Sequence, residues 1–148
     1  MNISIINGPN LNMIGKREKN IYGNVNFENY YKYLVNEYNN IFISYYQSNS
    51  EGLIIDKLQN INNTNCIGII LNAGAFSHTS IAIADCIKSI NIPVIEVHIS
   101  NIYQREYYRH TSYISCCCYG VIIGFGLDSY KNAIDAFINK NKKKIIFK

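Results

Sequence analysis

Short apolar runs alternate with amphipathic segments along the length of this chain, and that alternation leaves few folds open. Residues 3–6, 41–46, 66–71, 92–99 and 121–123 read as strands, and 66–71 is apolar almost throughout. Strands that are apolar on both faces belong in a parallel sheet covered on both sides. Between them lie segments with helical spacing. Residues 27–40 carry Tyr30, Tyr31, Leu34, Val35 and Tyr38 along one face. Residues 50–61 carry Leu53, Ile54 and Leu58, with Ser50 as the expected N-cap. Further helices are expected over 79–89 and 129–140. Five strands joined by right-handed crossovers within 148 residues point to an α/β, flavodoxin-like three-layer sandwich. Its five-stranded parallel sheet would have the order 2-1-3-4-5. The chain reads as a single domain over 1–148, with a basic tail from about residue 140.

Composition narrows the class further. With 48% apolar and 16% charged residues, the chain suits a soluble globular protein. No apolar run is long enough to span a bilayer. The start of the chain enters a strand-like run directly, so a secretory leader is not expected and a cytoplasmic location is. The five cysteines (Cys66, Cys86 and the run Cys116-Cys117-Cys118) have no metal-ligand spacing. They are expected to be small buried residues in a reducing compartment. The net charge of +4 is concentrated in Lys140, Lys142, Lys143, Lys144 and Lys148, which reads as a solvated cluster. No basic face for nucleic acid accompanies it.

In the fourth strand, Glu96 and His98 stand two residues apart and so point to the same side. A buried carboxylate beside an imidazole favours the protonated ring and sets a proton donor at the carboxyl end of the sheet, where open α/β folds bind ligands. A mutually satisfied core pair is an equally good reading of these two residues alone. The loop after the first strand, 8–23, is too long for a simple connection and matches neither a dinucleotide-binding nor a phosphate-binding glycine pattern. It contains Arg17 and Tyr22; a guanidinium near a phenol stabilises the phenolate and makes it a usable base. A surface arginine and a packing tyrosine remain the plainer reading of that loop. After the third strand, Asn72-Ala73-Gly74 leads to His78-Thr79-Ser80 at a helix start, suited to an anionic or polyhydroxylated ligand. Asp85 lies farther along that helix, away from its own site. Arg105 and Arg109 follow the strand that ends at His98 and are placed to clamp a carboxylate.

Together these loops carry a pattern. The chain resembles the type II 3-dehydroquinate dehydratases along nearly its full length. The matching stretches are Ile6-Asn7-Gly8-Pro9-Asn10-Leu11-Asn12, Arg17-Glu18 with Tyr22-Gly23, Gln47-Ser48-Asn49 with Glu51-Gly52, and Asn72-Ala73-Gly74 with His78-Thr79-Ser80. They continue through Glu96-Val97-His98-Ile99-Ser100-Asn101, Arg105-Glu106 with Arg109 and Ser112, and Gly124-Phe125-Gly126 with Tyr130.

The resemblance implies a flavodoxin-like fold, a homododecamer of four trimers and dehydration of 3-dehydroquinate to 3-dehydroshikimate. That is the third step of the shikimate pathway, leading to chorismate and the aromatic amino acids. It implies an anti elimination through an enolate with no cofactor: no metal, nucleotide or Schiff-base lysine. In that scheme Tyr22 removes the C2 proton and Arg17 lowers its pKa. Asn10 helps position a water on the enolate oxygen, and His98, held by Glu96, protonates the leaving hydroxyl. Asn72 and the backbone amides of Ile99 and Ser100 hold the substrate carboxylate, and His78 and Arg109 hold ring hydroxyls. Asp85 reaches a neighbouring subunit's site, and Arg105 shapes the lid. Lys19 stands where many relatives have proline, which predicts a looser lid. Phe76-Ser77 replaces a common Tyr-Thr pair. The rival readings are a flavodoxin-like binding module for a phosphate ligand or FMN, and a structural relative without catalysis.

Overall fold

The computed structural model describes residues 1–15 and 25–146, with side chains to residue 142. Five parallel strands form one sheet in the order β2-β1-β3-β4-β5. They are β1 (Asn2–Asn7), β2 (Phe42–Gln47), β3 (Cys66–Asn72), β4 (Val94–His98) and β5 (Gly120–Ile123). Among the described residues the helices are α1 (Phe27–Glu37), α2 (Glu51–Asn62), α3 (Ile81–Ser89) and α4 (Asp128–Ile146). The flavodoxin-like topology expected from the alternation is therefore present.

Period-two alternation along the strands sorts the core into two faces. Ile3, Ile5, Ile43, Ile70, Ile95 and Val97 pack under Phe27, Tyr30 and Leu34 of α1 and Tyr130, Ile134 and Phe137 of α4. Ile6, Ile69, Leu71 and Val94 pack under Ile54, Leu58 and Ile61 of α2 and Ile83, Ala84 and Ile87 of α3. Gly68 is needed where β3 passes under α4, because a Cβ there would stand 2.4 Å from the Phe137 ring. No helix among the described residues is long and apolar enough to cross a membrane.

Several local expectations shift. Ser50 occupies the N-cap position of α2 but its side chain caps nothing. Ser48 Oγ instead accepts the Ser50 N–H at 3.0 Å. The α3 helix does have a working cap, Ser80 Oγ accepting from the Ile83 N–H at 2.9 Å, and starts later than expected because Gly74–His78 forms a 3-10 turn. The α4 helix runs on to Ile146 rather than stopping at residue 140, since neither Gly nor Pro interrupts it. All five thiols are free, yet only Cys86 is buried; Cys66, Cys117 and Cys118 are half-buried and Cys116 is exposed. The expectation of five buried cysteines fails at Cys116, which lies on a surface 3-10 turn, Ser115–Cys117.

Candidate active site

Three strands end on buried polar residues: β1 on Asn7, β3 on Asn72 and β4 on His98. All three carboxyl ends lie at the same edge of a parallel sheet, at the point where strand order reverses, the usual ligand position in such folds. The loops that follow are locked together. Gly8 N–H donates to the Asn72 carbonyl at 2.7 Å. A Cβ on Gly8 would stand 2.3 Å from the Ala73 carbonyl oxygen, so this approach requires glycine. Gly74 sits at φ +59°, a region that favours glycine, with Pro9 against it. Asn10 adopts the left-handed region at φ 67°, which a short polar side chain tolerates. Its N–H donates to Asn49 Oδ1 at 3.0 Å, and Gln47 Nε2 supports the same loop through the Gly8 carbonyl at 3.3 Å.

Beneath these loops Tyr130 of α4 is fully buried. Its hydroxyl donates to Asn7 Oδ1 at 2.8 Å and accepts from Asn72 Nδ2 at 2.8 Å. Burial above all pushes its phenol far up, so it stays neutral and serves as a hinge between two amides. Asn72 Oδ1 accepts the Gly74 N–H at 3.2 Å, which fixes the amide at the floor of the site.

A cavity of about 230 Å³ opens above this floor, lined by Asn10, Asn72, His78, His98, Ile99, Ser100, Arg105 and Arg109, with Leu11, Met13, Ile14 and Ile102 as apolar wall. It is smaller than the roughly 300–1,000 Å³ of sites for drug-sized ligands, and so is scaled to a small molecule. His98 Nε2 lies 2.7 Å from Glu96 Oε1. Glu96 itself is fully buried behind the histidine. Burial is the largest single influence on that carboxyl and raises its pKa, but the hydrogen bond and charge of His98, followed by the hydrogen bonds from Ser115 and Ser112, together outweigh it, so the carboxyl is held below its ordinary value. With Nε2 committed to Glu96, Nδ1 is the nitrogen left for a ligand.

The His78 ring stacks on His98, with centroids 5.8 Å apart. His78 Nδ1 is 2.8 Å from the Thr111 carbonyl, which can only accept, so Nδ1 carries the proton. Burial first, then the neighbouring His98 and Arg109, lowers its pKa, and the ring offers a neutral Nε2 to the cavity. Glu106 bridges the two arginines, with Oε2 at 3.0 Å from Arg109 Nε and 3.5 Å from Arg105 Nε. The cavity thus joins two guanidiniums and an imidazole held by a carboxylate, an arrangement that can bind an anion and deliver a proton.

Of the residues singled out in the sequence, Asn10, Asn72, His78, His98, Ile99, Ser100 and Arg109 line this one cavity, and Glu96 backs it. Arg17, Tyr22 and Lys19 lie outside the described residues. Asp85 is exposed on α3, away from the cavity, with Lys88 Nζ at 3.6 Å. The sequence reading missed Ser115 as a partner of Glu96 and Tyr130 as the link between Asn7 and Asn72. Only the folded loops bring those partners within reach. No group of three or more metal-ligating side chains occurs among the described residues.

Fold and site together define a flavodoxin-like α/β protein with a buried histidine–carboxylate pair beside a cavity at its topological switch point. Its family follows from direct comparison: residues 1–138 match the model of the family described as dehydroquinase class II, and the chain belongs to that family. It is 51% identical to the 3-dehydroquinate dehydratase of Buchnera aphidicola subsp. Baizongia pistaciae over 144 residues, covering 96% of this chain and 93% of that protein. The crystal structure of type II dehydroquinase from Butyrivibrio crossotus superposes with a TM-score of 0.88 at 50% identity, covering 93% of this chain and 97% of that one. The type II dehydroquinase from Propionibacterium acnes gives 0.86 at 34% identity, covering 90% and 93%.

Proposed function

We propose that this chain is a hydro-lyase that converts 3-dehydroquinate to 3-dehydroshikimate in the shikimate pathway. The observation that carries this reading is the buried Glu96–His98 pair, 2.7 Å apart, at the end of β4 and facing a small cavity with Arg109 and Asn72 on its walls. Family membership and the names of its relatives supply the substrate.

In the proposed reaction Tyr22, made acidic by Arg17, removes a proton from C2, and the electron pair left behind enters an enolate. Asn10 orients a water on the enolate oxygen, opposing the charge as it develops. The enolate then collapses to the C1–C2 double bond and expels the C1 hydroxyl. His98 protonates that oxygen from the opposite face, so water leaves anti, and Glu96 stabilises the ring while it is charged. Asn72 with the amides of Ile99 and Ser100 binds the carboxylate. His78 accepts from a ring hydroxyl through its free nitrogen, and Arg109 donates to another. The reading includes a cytoplasmic enzyme that works as a dodecamer and needs no cofactor.

The product is a conjugated enone and the substrate is not, so near-ultraviolet absorbance follows turnover directly. The wild-type chain is expected to generate that absorbance from 3-dehydroquinate. Tyr22→Phe is expected to abolish it with an unchanged melting curve and retained binding of a ring-shaped inhibitor. His98→Ala is expected to lose on the order of 100-fold or more in kcat, the usual worth of a general acid. Near-normal turnover of the Tyr22 variant removes it as the base.

A further inference from the structure

The segment 111–115, between β4 and β5, touches His78 and the glutamate that holds His98, and is not among the residues lining the cavity. The Thr111 carbonyl takes the His78 Nδ1 proton at 2.8 Å. Ser112 Oγ donates to Glu96 Oε1 at 2.7 Å, the same oxygen that faces His98. Ser115 Oγ donates to the other oxygen, Oε2. The segment is pinned on its own account. Ile114, between the two serines, is fully buried in the α2–α3 side of the core, and the Tyr113 N–H donates to the Ser77 carbonyl at 2.8 Å.

We propose that Ser112 and Ser115 are positioning residues for the Glu96–His98 pair, which hold the carboxylate so that the transferable proton rests on the imidazole. The inference rests on the reading of His98 as the proton donor. Its physical basis is that hydrogen bonds to a carboxylate stabilise the ionised form. A buried glutamate beside an imidazole, without other donors, would draw the shared proton back toward itself and bind it more tightly. Two hydroxyls oppose that. They add no charge, they leave the ring as the seat of the proton, and they fix which oxygen faces it. The proton is then easier to give to a leaving hydroxyl.

No other charged group takes over this task among the described residues. Across the sheet, Glu96 is in register with Leu71 of β3 and Val121 of β5, both apolar. Cys118 sits against the Glu96 main chain, with its thiol pushed far up by burial and so neutral. Cys116 and Cys117 precede it on the same turn, and Cys117 is likewise raised by burial. From the cavity side the pair is faced by His78, Arg105 and Arg109, with Glu106 on the two arginines.

The test uses Ser112→Ala, Ser115→Ala and the double variant, read in two ways. The first is the kcat and KM of dehydration across pH. The double variant is expected to lose about tenfold or more in kcat, as for a lost hydrogen bond to a charged group. Its KM should stay nearly constant and the alkaline limb of its kcat profile, where the proton donor is lost, should move to higher pH. Each single variant should lie between. The second reading needs no substrate: NMR titration of 15N-histidine-labelled protein, in which the His98 signals of the double variant should shift to higher pH while those of His110 stay in place. If the double variant folds poorly, the single variants carry both readings. Unchanged profiles and unchanged His98 titration overturn the proposal. A wild-type chain that fails to dehydrate 3-dehydroquinate overturns the function instead, and the NMR arm still decides the role of the serines.

Discussion

At the residue scale, Glu96 is the most consequential side chain in the molecule. A carboxylate with no solvent contact is normally unfavourable. This one is offset by His98, Ser112 and Ser115. Because its folded pKa is depressed, its contribution to stability is present above the unfolded carboxyl value and is lost as pH falls through the folded one. Glu96→Gln has nothing to titrate. Urea midpoints of the two proteins should therefore differ most near neutral pH and converge as pH is lowered below about 4, the ordinary glutamate range. Midpoints that stay parallel throughout would mean that folding leaves the Glu96 pKa unchanged, and a wild type that loses ground to the variant as pH rises would mean that Glu96 is protonated in the folded state. The placement of Glu96 and His98 on one face was visible from their spacing alone, since strand alternation dictates it. The two serines were not readable as partners. Ser115 is nineteen positions from Glu96, and only the return of the chain from β4 to β5 brings them together.

At the scale of elements, the site depends on how closely the loops after β1 and β3 approach each other. Gly8→Ala would drive a methyl into the Ala73 carbonyl. It is expected to lower stability by about 1–3 kcal/mol, as overpacking does, and to raise KM because Asn10 and Asn72 would separate. Gly52 offers a control within the same fold. It lies in α2, where an added Cβ would meet no atom within 4 Å, so Gly52→Ala should stabilise by about 0.5 kcal/mol through helix propensity alone. Chemical denaturation of the pair separates contact from propensity, and equal effects at both positions would discard the close-approach argument. Element types and order could be read from hydrophobic periodicity. Element ends could not. The extension of α4 to Ile146 and the 3-10 turn ahead of α3 depend on local hydrogen bonds that periodicity does not encode.

At the scale of the whole molecule, two apolar layers account for the sheet and the helices of the described residues, but not for Asp85. It is exposed on α3, paired with Lys88 and not among the residues that line the cavity of its own chain. A structural role on an exposed helix face is worth little, since surface pairs contribute about 0–1 kcal/mol. If it completes a neighbouring site in a closed ring of three subunits, two defects can rescue each other. Asp85→Ala and His98→Ala should each be nearly inactive alone. Subunits mixed at random after unfolding and refolding together should regain activity, because about a quarter of sites in a cyclic trimer would then pair an intact His98 with an intact Asp85 from the next subunit. Sedimentation of the mixture should match that of the wild type. An Asp85 that served its own site would give no recovery at any mixing ratio, since no arrangement of those two chains places both intact residues in one subunit.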